Sequence, residues 1–393
     1  MTKQQNEALA RRLGSLCVFR KTLETKPIAA LLKVLTAQNA LQKAEAYGEF
    51  VYSLAEDNYS FSDFLTRTVY TDENRYIIDA ARSVQIPEAL QANASAELKL
   101  FSQLSRLTPA DLISADDCGG FAPRFESAAV DFEESFADRL RNIGRYGYGI
   151  FASAKMFSVT DSRIVPVESA DDISADSFVG YEAERKKVFD NTLALIEGRP
   201  AANVLLYGDA GTGKSSTVKA CVNHFFDRGL RLIELRKDQL FSLSDIMARI
   251  SDNPLKFIIF IDDLSFNKND DCFSMLKAAL EGSASAKACN AVIYATSNRR
   301  HIVKETFSGR SDADDVHHND TVQELMSLSD RFGLTVYFEK PDKALYLDIV
   351  RTLAEKNGLK IDVEELEVKA EAFALNKGSR SPRAAEQFIN SLL

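Results

Sequence analysis

The feature that most constrains this chain is the segment Gly-Asp-Ala-Gly-Thr-Gly-Lys-Ser at positions 208–215. An apolar run at 204–207 precedes it, and a helical pattern follows it. Glycines let a backbone wrap closely around a ligand and point its N–H groups inward. A helix that starts directly after such a loop aims the positive end of its dipole at the same place. The segment therefore predicts a strand–loop–helix unit that binds a polyphosphate.

Within this loop, two side chains have distinct expected roles. The Lys214 ammonium is predicted to reach the β- and γ-phosphates of ATP, and the Ser215 hydroxyl is predicted to help hold Mg²⁺. A glycine turn without a ligand is the alternative, which the flanking strand and helix disfavour. The residues predicted to contact the phosphates are Gly208, Asp209, Ala210, Gly211, Thr212, Gly213, Lys214, Ser215 and Ser216.

A second apolar run, at 257–261, ends in two acids, Asp262 and Asp263. A continuous hydrophobic run is typical of a buried central parallel strand. Sheets of this kind bind ligands outside the carboxyl ends of their strands. Asp262 is therefore predicted to hold Mg²⁺ through water, and Asp263 to act as the base or to orient water for hydrolysis. For Asp263, a cap on the next turn is the alternative.

The order of predicted elements indicates the fold class. Five short apolar runs alternate with helical patterns, which predicts an α/β fold with a five-stranded parallel sheet between two layers of helices, as in P-loop NTPases. We expect a mainly helical N-terminal domain over 1–165, with helical patterns that include 28–54 and 125–143. The nucleotide-binding domain is expected over 166–340 and a small helical lid over 341–393, whose last helix is predicted to have Ser381 as its N-cap and Pro382 in its first turn. The five predicted strands are 204–207, 231–235, 257–261, 291–295 and 334–338.

Composition excludes several classes of protein. The 393 residues carry a net charge of −9, which does not support non-specific binding to a nucleic-acid backbone. The five scattered cysteines form no C-x-x-C pair, so neither a disulfide framework nor a zinc site is expected. The polar N-terminus and the lack of a long apolar run predict a soluble cytoplasmic protein that does not enter membranes.

From residue 178 onward, the sequence resembles the AAA+ ATPases. Besides the two motifs above, Ala295-Thr296-Ser297-Asn298 is similar to the sensor-1 motif, and Ser329-Asp330-Arg331-Phe332-Gly333 is similar to the arginine-finger segment of bacterial replication initiators. Ser381-Pro382-Arg383 resembles sensor 2, and Phe178-Val179-Gly180-Tyr181 resembles the segment that lines the adenine pocket. Runs such as LLYGDAGTGKSS and SLSDRFGL are also similar to a bacterial family of AAA+-type ATPases without an established cellular role.

The resemblance implies roles for further residues. Asn298 would bond the attacking water or the γ-phosphate, and Arg331 would complete the site of a neighbouring subunit in a ring- or hexamer-like homo-oligomer. Arg383 would act as sensor 2, with Arg380 as its rival. Phe178, Val179 and Gly180 would contact the base. Taken alone, Asn298 could form a turn and Arg331 could be an ordinary surface ion-pair residue.

These expectations define three function hypotheses. The preferred one is an ATPase that uses Mg·ATP hydrolysis to do conformational work on a macromolecular partner bound by its N-terminal domain. Most AAA+ proteins carry Glu where this chain has Asp263, so turnover is expected to be slow or to require an assembled oligomer. The alternative is an ATP-gated assembly switch or loader that acts near nucleic acid with little hydrolysis. A small-molecule phosphotransferase is disfavoured, because the sequence offers no recognisable acceptor site.

Overall fold

The computed structural model describes residues 2–167, 178–264, 271–280, 289–298 and 331–393. The chain forms two compact units, one up to Ser153 and one from Ala154 to the end. Among the described residues, no helix is both long and apolar enough to cross a membrane.

The first unit is built from helices, as the sequence predicts. The predicted helical stretch at 28–54 divides at 37–39, where the Asn39 side chain accepts a hydrogen bond from the Gln42 N–H and begins a second helix. The last long helix begins at Phe132, later than the expected start at 125. The helices are α1 (Lys3–Gly14), α2 (Lys26–Thr36), α3 (Ala40–Ser53), α4 (Phe61–Thr71), α5 (Arg75–Ala81), α6 (Glu88–Leu104), α7 (Pro109–Leu112), α8 (Phe132–Arg141) and α9 (Ile143–Tyr146).

Aromatic rings dominate the core of this unit. Phe19 meets Phe101 edge to face with ring centroids 5.5 Å apart, and Phe50 meets Phe61 in the same way at 5.2 Å. All four rings are fully buried. Edge-to-face pairs add to the free energy gained from burial alone. The first unit therefore has a hydrophobic core of its own.

The second unit is an α/β structure around a seven-stranded, mostly parallel sheet. Its strand order is β2-β1-β4-β5-β6-β3-β7. The β1–β2 pair is antiparallel, and the other neighbouring pairs are parallel. The strands are β1 (Met156–Thr160), β2 (Arg163–Pro166), β3 (Val204–Gly208), β4 (Leu230–Leu235), β5 (Lys256–Ile261), β6 (Ala291–Asn298) and β7 (Leu334–Phe338).

The sheet corrects the prediction of five strands. The five predicted strands are present as β3 to β7, and the hairpin β1–β2 adds two more in a region that the sequence assigned to the helical domain. Asp161 and Ser162 form the two-residue turn with φ of 49° and 60°. Such hairpin turns usually contain glycine. Without glycine, and with only five and four residues per strand, the hairpin gives a weak sequence signal.

Helices cover the sheet and form a separate lid. Val188 on α10 and Val218 on α11 pack on the face that Val204 and Leu206 present, and the alternate residue Leu205 is buried on the opposite face. The last three helices share their own core; they fall within 341–393, the range predicted as a lid, and we call them the lid. The helices of this unit are α10 (Glu182–Ile196), α11 (Lys214–Phe225), α12 (Leu243–Ile250), α13 (Asp271–Leu280), α14 (Lys343–Lys356), α15 (Val363–Lys377) and α16 (Pro382–Asn390).

The position of β3 in the sheet prepares a site. After β3 the chain moves to β4, three strands away, and returns through β5 to β6, which pairs with β3 on one side. It then crosses to β7, which pairs with β3 on the other side. In parallel α/β sheets, such a reversal of strand order opens a crevice at the carboxyl ends of the strands. The crevice in this sheet lies at Gly208 and at its register partners, Asn298 and Phe338.

Candidate functional site

The loop of 208–215 leaves β3 at a point where only glycine fits. A Cβ atom on Gly208 would overlap the backbone carbonyl of Phe338 on β7, and its φ of 139° disfavours any other residue. The strand therefore approaches its neighbour closely before the loop turns into α11. This geometry confirms the predicted strand–loop–helix arrangement.

Helix α11 begins at Lys214 with its amino end at the loop. Its N-cap is Gly213, and no side chain of the described residues accepts a hydrogen bond from its first turn. By contrast, Asp342 caps α14 and Ser381 caps α16 with side-chain oxygens. The first N–H groups of a helix attract anions when no side chain satisfies them. The loop therefore presents a positive helix end to the crevice.

The Lys214 side chain is buried, although it carries a charge. Only 6% of the residue is exposed. Its ammonium donates to the carbonyl oxygens of Gly208 and Asp209, at 3.0 and 2.7 Å, and to Asn298 Oδ1 at 3.2 Å. These three contacts place the charge between the ends of β3 and β6.

Burial lowers the pKa of Lys214, since removal from water disfavours the ammonium form. Asp209, Asp262 and Asp263 act in the opposite direction through their negative charges. The site therefore combines a desolvated cation with three nearby carboxylates. Groups with perturbed pKa values of this kind concentrate at functional sites.

Ser215 and Asp262, the two residues predicted to hold Mg²⁺, are hydrogen-bonded to one another. The Ser215 hydroxyl donates to Asp262 Oδ1 at 2.6 Å. The same oxygen accepts from the Thr296 hydroxyl at 2.5 Å. Asp262 follows the last residue of β5, and its side chain is exposed. Two hydroxyls and one carboxylate therefore gather at the carboxyl ends of β5 and β6.

Asp263 adopts an unusual backbone conformation, with φ of 52°. Its N–H donates to Thr296 Oγ1 at 2.9 Å, and its Oδ1 accepts from Asn298 Nδ2 at 2.8 Å. Asn298 thus links the Lys214 ammonium to the Asp263 carboxylate. The left-handed region is costly for a residue with a Cβ atom. These contacts hold Asp263 beside the lysine, and its carboxylate is exposed.

The segment 178–181 lies between the lid and the sheet. A Cβ atom on Gly180 would lie 2.9 Å from Leu345 Cδ1 on α14, and the Tyr181 hydroxyl donates to the Glu339 carbonyl oxygen at 2.6 Å. Val179 packs against the lid core. Burial raises the pKa of Tyr181, with Asp209 of the loop among the charges that add to the shift. The segment predicted to line the adenine pocket is therefore next to the loop.

The lid touches the loop through the amino end of α16. The Arg383 N–H donates to the Gly211 carbonyl oxygen at 3.3 Å. A Cβ atom on Gly211 would lie 3.2 Å from both Arg383 Cβ and Ser381 Oγ. Ser381 caps this helix and Pro382 begins it, as the sequence predicts. Arg380 instead forms a paired contact with Glu371, with N–O distances of 2.9 and 2.8 Å. Of the two rivals, Arg383 has its backbone at the loop.

Arg331 lies at the opposite edge of the sheet. Phe332 beside it is buried, and a Cβ atom on Gly333 would lie 2.9 Å from Ala202 Cβ, at the amino end of β3. Five residue-to-residue steps along the strand, from 203 to 208, separate this end from the loop, a rise of about 17 Å. Arg331 therefore does not reach Lys214 within its own sheet. Ser329 and Asp330 of the same motif lie outside the described residues.

The residues present fit a triphosphate and a magnesium ion. Mg²⁺ typically takes one or two protein oxygens and completes its shell with phosphate oxygens and water. Ser215 and Asp262 offer such a small donor set at hydrogen-bond distance from one another. Among the described residues, no group of three or more His, Cys, Asp or Glu side chains could hold a metal alone. The uncapped end of α11 and Lys214 would supply positive charge for phosphates.

The structure adds two residues that sequence reasoning did not single out. Thr296 is buried and contacts both Asp262 and the backbone of Asp263. Its position in the sequence, two residues before Asn298 at the carboxyl end of β6, could have indicated a role at the site. Arg185 donates to the Gly180 carbonyl oxygen, and its guanidinium lies over the Phe178 ring at 5.0 Å. No sequence pattern indicated that contact.

A comparison with protein families matches residues 152–393 to a model described as "Protein of unknown function (DUF815)". The match covers the second unit, including the loop, both aspartates and the lid. A comparison with curated proteins found no match.

Proposed function

This chain belongs to the DUF815 family, and we propose from its site that it is an ATPase that binds Mg·ATP at the loop of 208–215. The main support is the arrangement of three side chains. Lys214, Ser215 and Asp262 come from β3–α11 and β5 and meet at the carboxyl edge of one sheet. A merely structural glycine turn needs neither a buried ammonium nor a hydroxyl–carboxylate pair beside it.

The proposed fold assignment follows from the same arrangement. The parallel set β4-β5-β6-β3-β7, covered on both faces and followed by a helical lid, supports a P-loop NTPase of the AAA+ type. In that assignment the β1–β2 hairpin extends the sheet beyond β4. The segment 178–180, held against α14, would contact the adenine base.

Binding would use charges that the protein already arranges. The Lys214 ammonium would exchange its contacts with two loop carbonyls for contacts with the β- and γ-phosphates. The first N–H groups of α11 would bind phosphate oxygens, since a helix amino end favours anions. Ser215 and Asp262 would hold Mg²⁺, which would neutralise charge that develops on the phosphate oxygens.

Hydrolysis would depend on Asp263 and Asn298. The oxygen of a water molecule attacks the γ-phosphorus as the bond to the ADP oxygen breaks, and Asp263 accepts the hydrogen bond or proton of that water. Asn298 holds the Asp263 carboxylate through Nδ2. Aspartate reaches one methylene less far than glutamate, so we expect slow turnover.

Arg331 supports a site shared between subunits. Gly333, two residues after it, lies against Ala202 at the amino end of β3, and that end is about 17 Å along the strand from the loop, so Arg331 would complete the site of another copy. Arg383 would act from the lid of the same chain, because its backbone already bonds Gly211. Movement of the lid would then follow the state of the phosphates, and the helical first unit would transmit that work to a macromolecular partner.

A mixing experiment tests the shared site. The Lys214→Ala variant should not bind ATP, while the Arg331→Ala variant should bind ATP and lose turnover by about 10³- to 10⁵-fold, as for other arginine fingers. A mixture of the two should regain turnover, because the intact loop of one meets the intact arginine of the other. Phosphate release at matched total protein measures the effect.

The matched control mixes the Arg331→Ala variant with the Lys214→Ala/Arg331→Ala double variant. That mixture contains intact loops but no Arg331, so it should stay inactive. Normal turnover by the Arg331→Ala variant alone would contradict the shared site. If the unmodified protein binds ATP without any turnover, an ATP-gated assembly switch becomes the better account.

A further inference from the structure

The Thr296 side chain sits between the two acids of the site. It is 2% exposed. Its oxygen lies 2.5 Å from Asp262 Oδ1 and 2.9 Å from the backbone nitrogen of Asp263. An amide N–H can only donate, so the hydroxyl accepts from Asp263. The single proton of the Thr296 hydroxyl is therefore donated to Asp262.

The contact with Asp262 restrains the orientation of its carboxylate. Oδ1 accepts from both Thr296 and Ser215. A carboxylate oxygen has two lone pairs in its plane, so these two hydroxyls satisfy Oδ1. Both hydrogen bonds involve the same carboxylate oxygen, so Thr296 helps to fix the rotation of the Asp262 carboxylate.

The second contact holds the backbone of Asp263. This residue has a left-handed φ, which disfavours any residue with a Cβ atom. Thr296 binds its N–H, while Asn298, two residues further along β6, binds its carboxylate. Residues two apart on a strand project from the same face. One face at the end of β6 therefore holds both acids.

We propose that Thr296 is a positioning residue that assigns the two acids their separate tasks, with Asp262 directed to the metal and Asp263 to the water. This inference rests on the proposed ATPase function and deepens it. Groups that orient metal ligands commonly change metal affinity or activity by about 10- to 100-fold when they are removed.

The test compares Thr296→Val, which keeps the shape and removes both hydrogen bonds, with Thr296→Ser, which keeps the hydroxyl. At saturating Mg²⁺, both variants should bind ATP as the unmodified protein does. The valine variant should need about 10- to 100-fold more Mg²⁺ for the same thermal stabilisation by ATP, and its kcat should fall within the same range. The serine variant should restore both properties.

Thr192→Val is the matched control. Thr192 is also a fully buried threonine of this unit, and its hydroxyl bonds Val188 and Tyr294 away from the site. The Thr192→Val substitution should lower the melting temperature and leave the Mg²⁺ dependence of ATP binding unchanged. If Thr296→Val does not fold, Thr296→Ala removes the same bonds without placing a methyl group against the carboxylate.

Two results would overturn the inference, and they differ. An unchanged Mg²⁺ dependence and kcat in both the valine and alanine variants would remove the role of Thr296 and leave the proposed ATPase intact. Failure of the unmodified protein to bind ATP at any Mg²⁺ concentration would remove both.

Discussion

Two loops of this molecule each surround a buried charge, and they do so for different reasons. In the first unit, Glu97 is 7% exposed and accepts from the N–H groups of Cys17, Val18 and Phe19, with shortest distances between 2.7 and 3.0 Å. In the second unit, Lys214 is 6% exposed and donates to Gly208, Asp209 and Asn298. Burial alone does not distinguish the two.

The surroundings of Glu97 and Lys214 do distinguish these two buried groups. The Glu97 carboxylate joins α6 to the turn before α2, and both of its oxygens are used in doing so. Lys214 stands at the carboxyl edge of a parallel sheet, beside an uncapped helix and among carboxylates that influence its pKa. The contacts of Glu97 join two segments of the fold. For Lys214, we propose that a buried charge beside the amino end of a helix prepares a ligand site.

The largest expected effect that separates the two loops comes from Lys214→Ala. Loss of a charged hydrogen-bond donor to phosphates costs about 3 kcal/mol or more, which weakens ATP binding at least about 100-fold. Stability without nucleotide should not fall, because the change removes a desolvated charge. Equilibrium dialysis and thermal unfolding measure the two quantities. Lys186→Ala, at an exposed lysine, is the control. Equal ATP affinity in both variants would contradict the assignment of Lys214 to a ligand site.

Gly208→Ala should destabilise the second unit by about 3 kcal/mol, because a Cβ atom there overlaps the Phe338 carbonyl. Denaturant unfolding checks this value. Gly198→Ala is the control, since Gly198 also has positive φ but has nothing within 4 Å of an added Cβ. It should cost only about 1 kcal/mol. Equal losses in the two variants would show that backbone conformation, not the close approach of β7, requires the glycine.

Glu97→Gln should lower the free energy of unfolding by about 2 kcal/mol and leave ATP affinity unchanged. The amide nitrogen would face a backbone N–H where the carboxylate accepted one, so a buried donor loses its partner. Glu49→Gln, at a half-exposed ion pair, is the control. A Glu97→Gln variant with normal stability and weak ATP binding would assign this loop to the ligand site instead.

The smallest expected effect is one of pH. Burial lowers the pKa of Lys214, so its ammonium loses the proton below the pH at which an exposed lysine does. Phosphate favours the charged form, so ATP affinity should decline as the pH rises through that lowered pKa toward 10.5. In Lys214→Arg, whose guanidinium stays charged, any remaining affinity should not decline. Equal slopes of affinity against pH would contradict the assignment of charge to Lys214.

Sequence predicted the parallel part of the fold well, because buried strands carry continuous apolar runs. The strand at 334–338 was predicted with the bounds that the structure has. The helix after Ser381 was predicted from its N-cap and its proline. The β1–β2 hairpin was missed because its turn, Asp161-Ser162, carries no glycine. The sequence predicted that helix α8 begins at Phe125, whereas it begins at Phe132. The prediction was wrong because the apolar Phe125 packs in the core without being helical.

Sequence also predicted the residues of the candidate site, but not their connections. The two motifs predicted that Lys214, Ser215 and Asp262 lie near the carboxyl ends of strands. The sequence left Arg380 and Arg383 as alternatives for sensor 2, and it did not indicate that Glu371 binds Arg380. It did not indicate the bridge through Thr296 either, because register between β5 and β6 brings Thr296 to Asp262. Long-range pairing of this kind leaves no local pattern.

Calorimetric titration of the full chain with ATP, with and without Mg²⁺, measures whether the crevice around Lys214 binds Mg·ATP. We expect saturable binding of one nucleotide per chain that requires Mg²⁺ for full affinity and is lost in Lys214→Ala. Absence of binding by the unmodified protein, or equal binding by Lys214→Ala, would contradict this expectation.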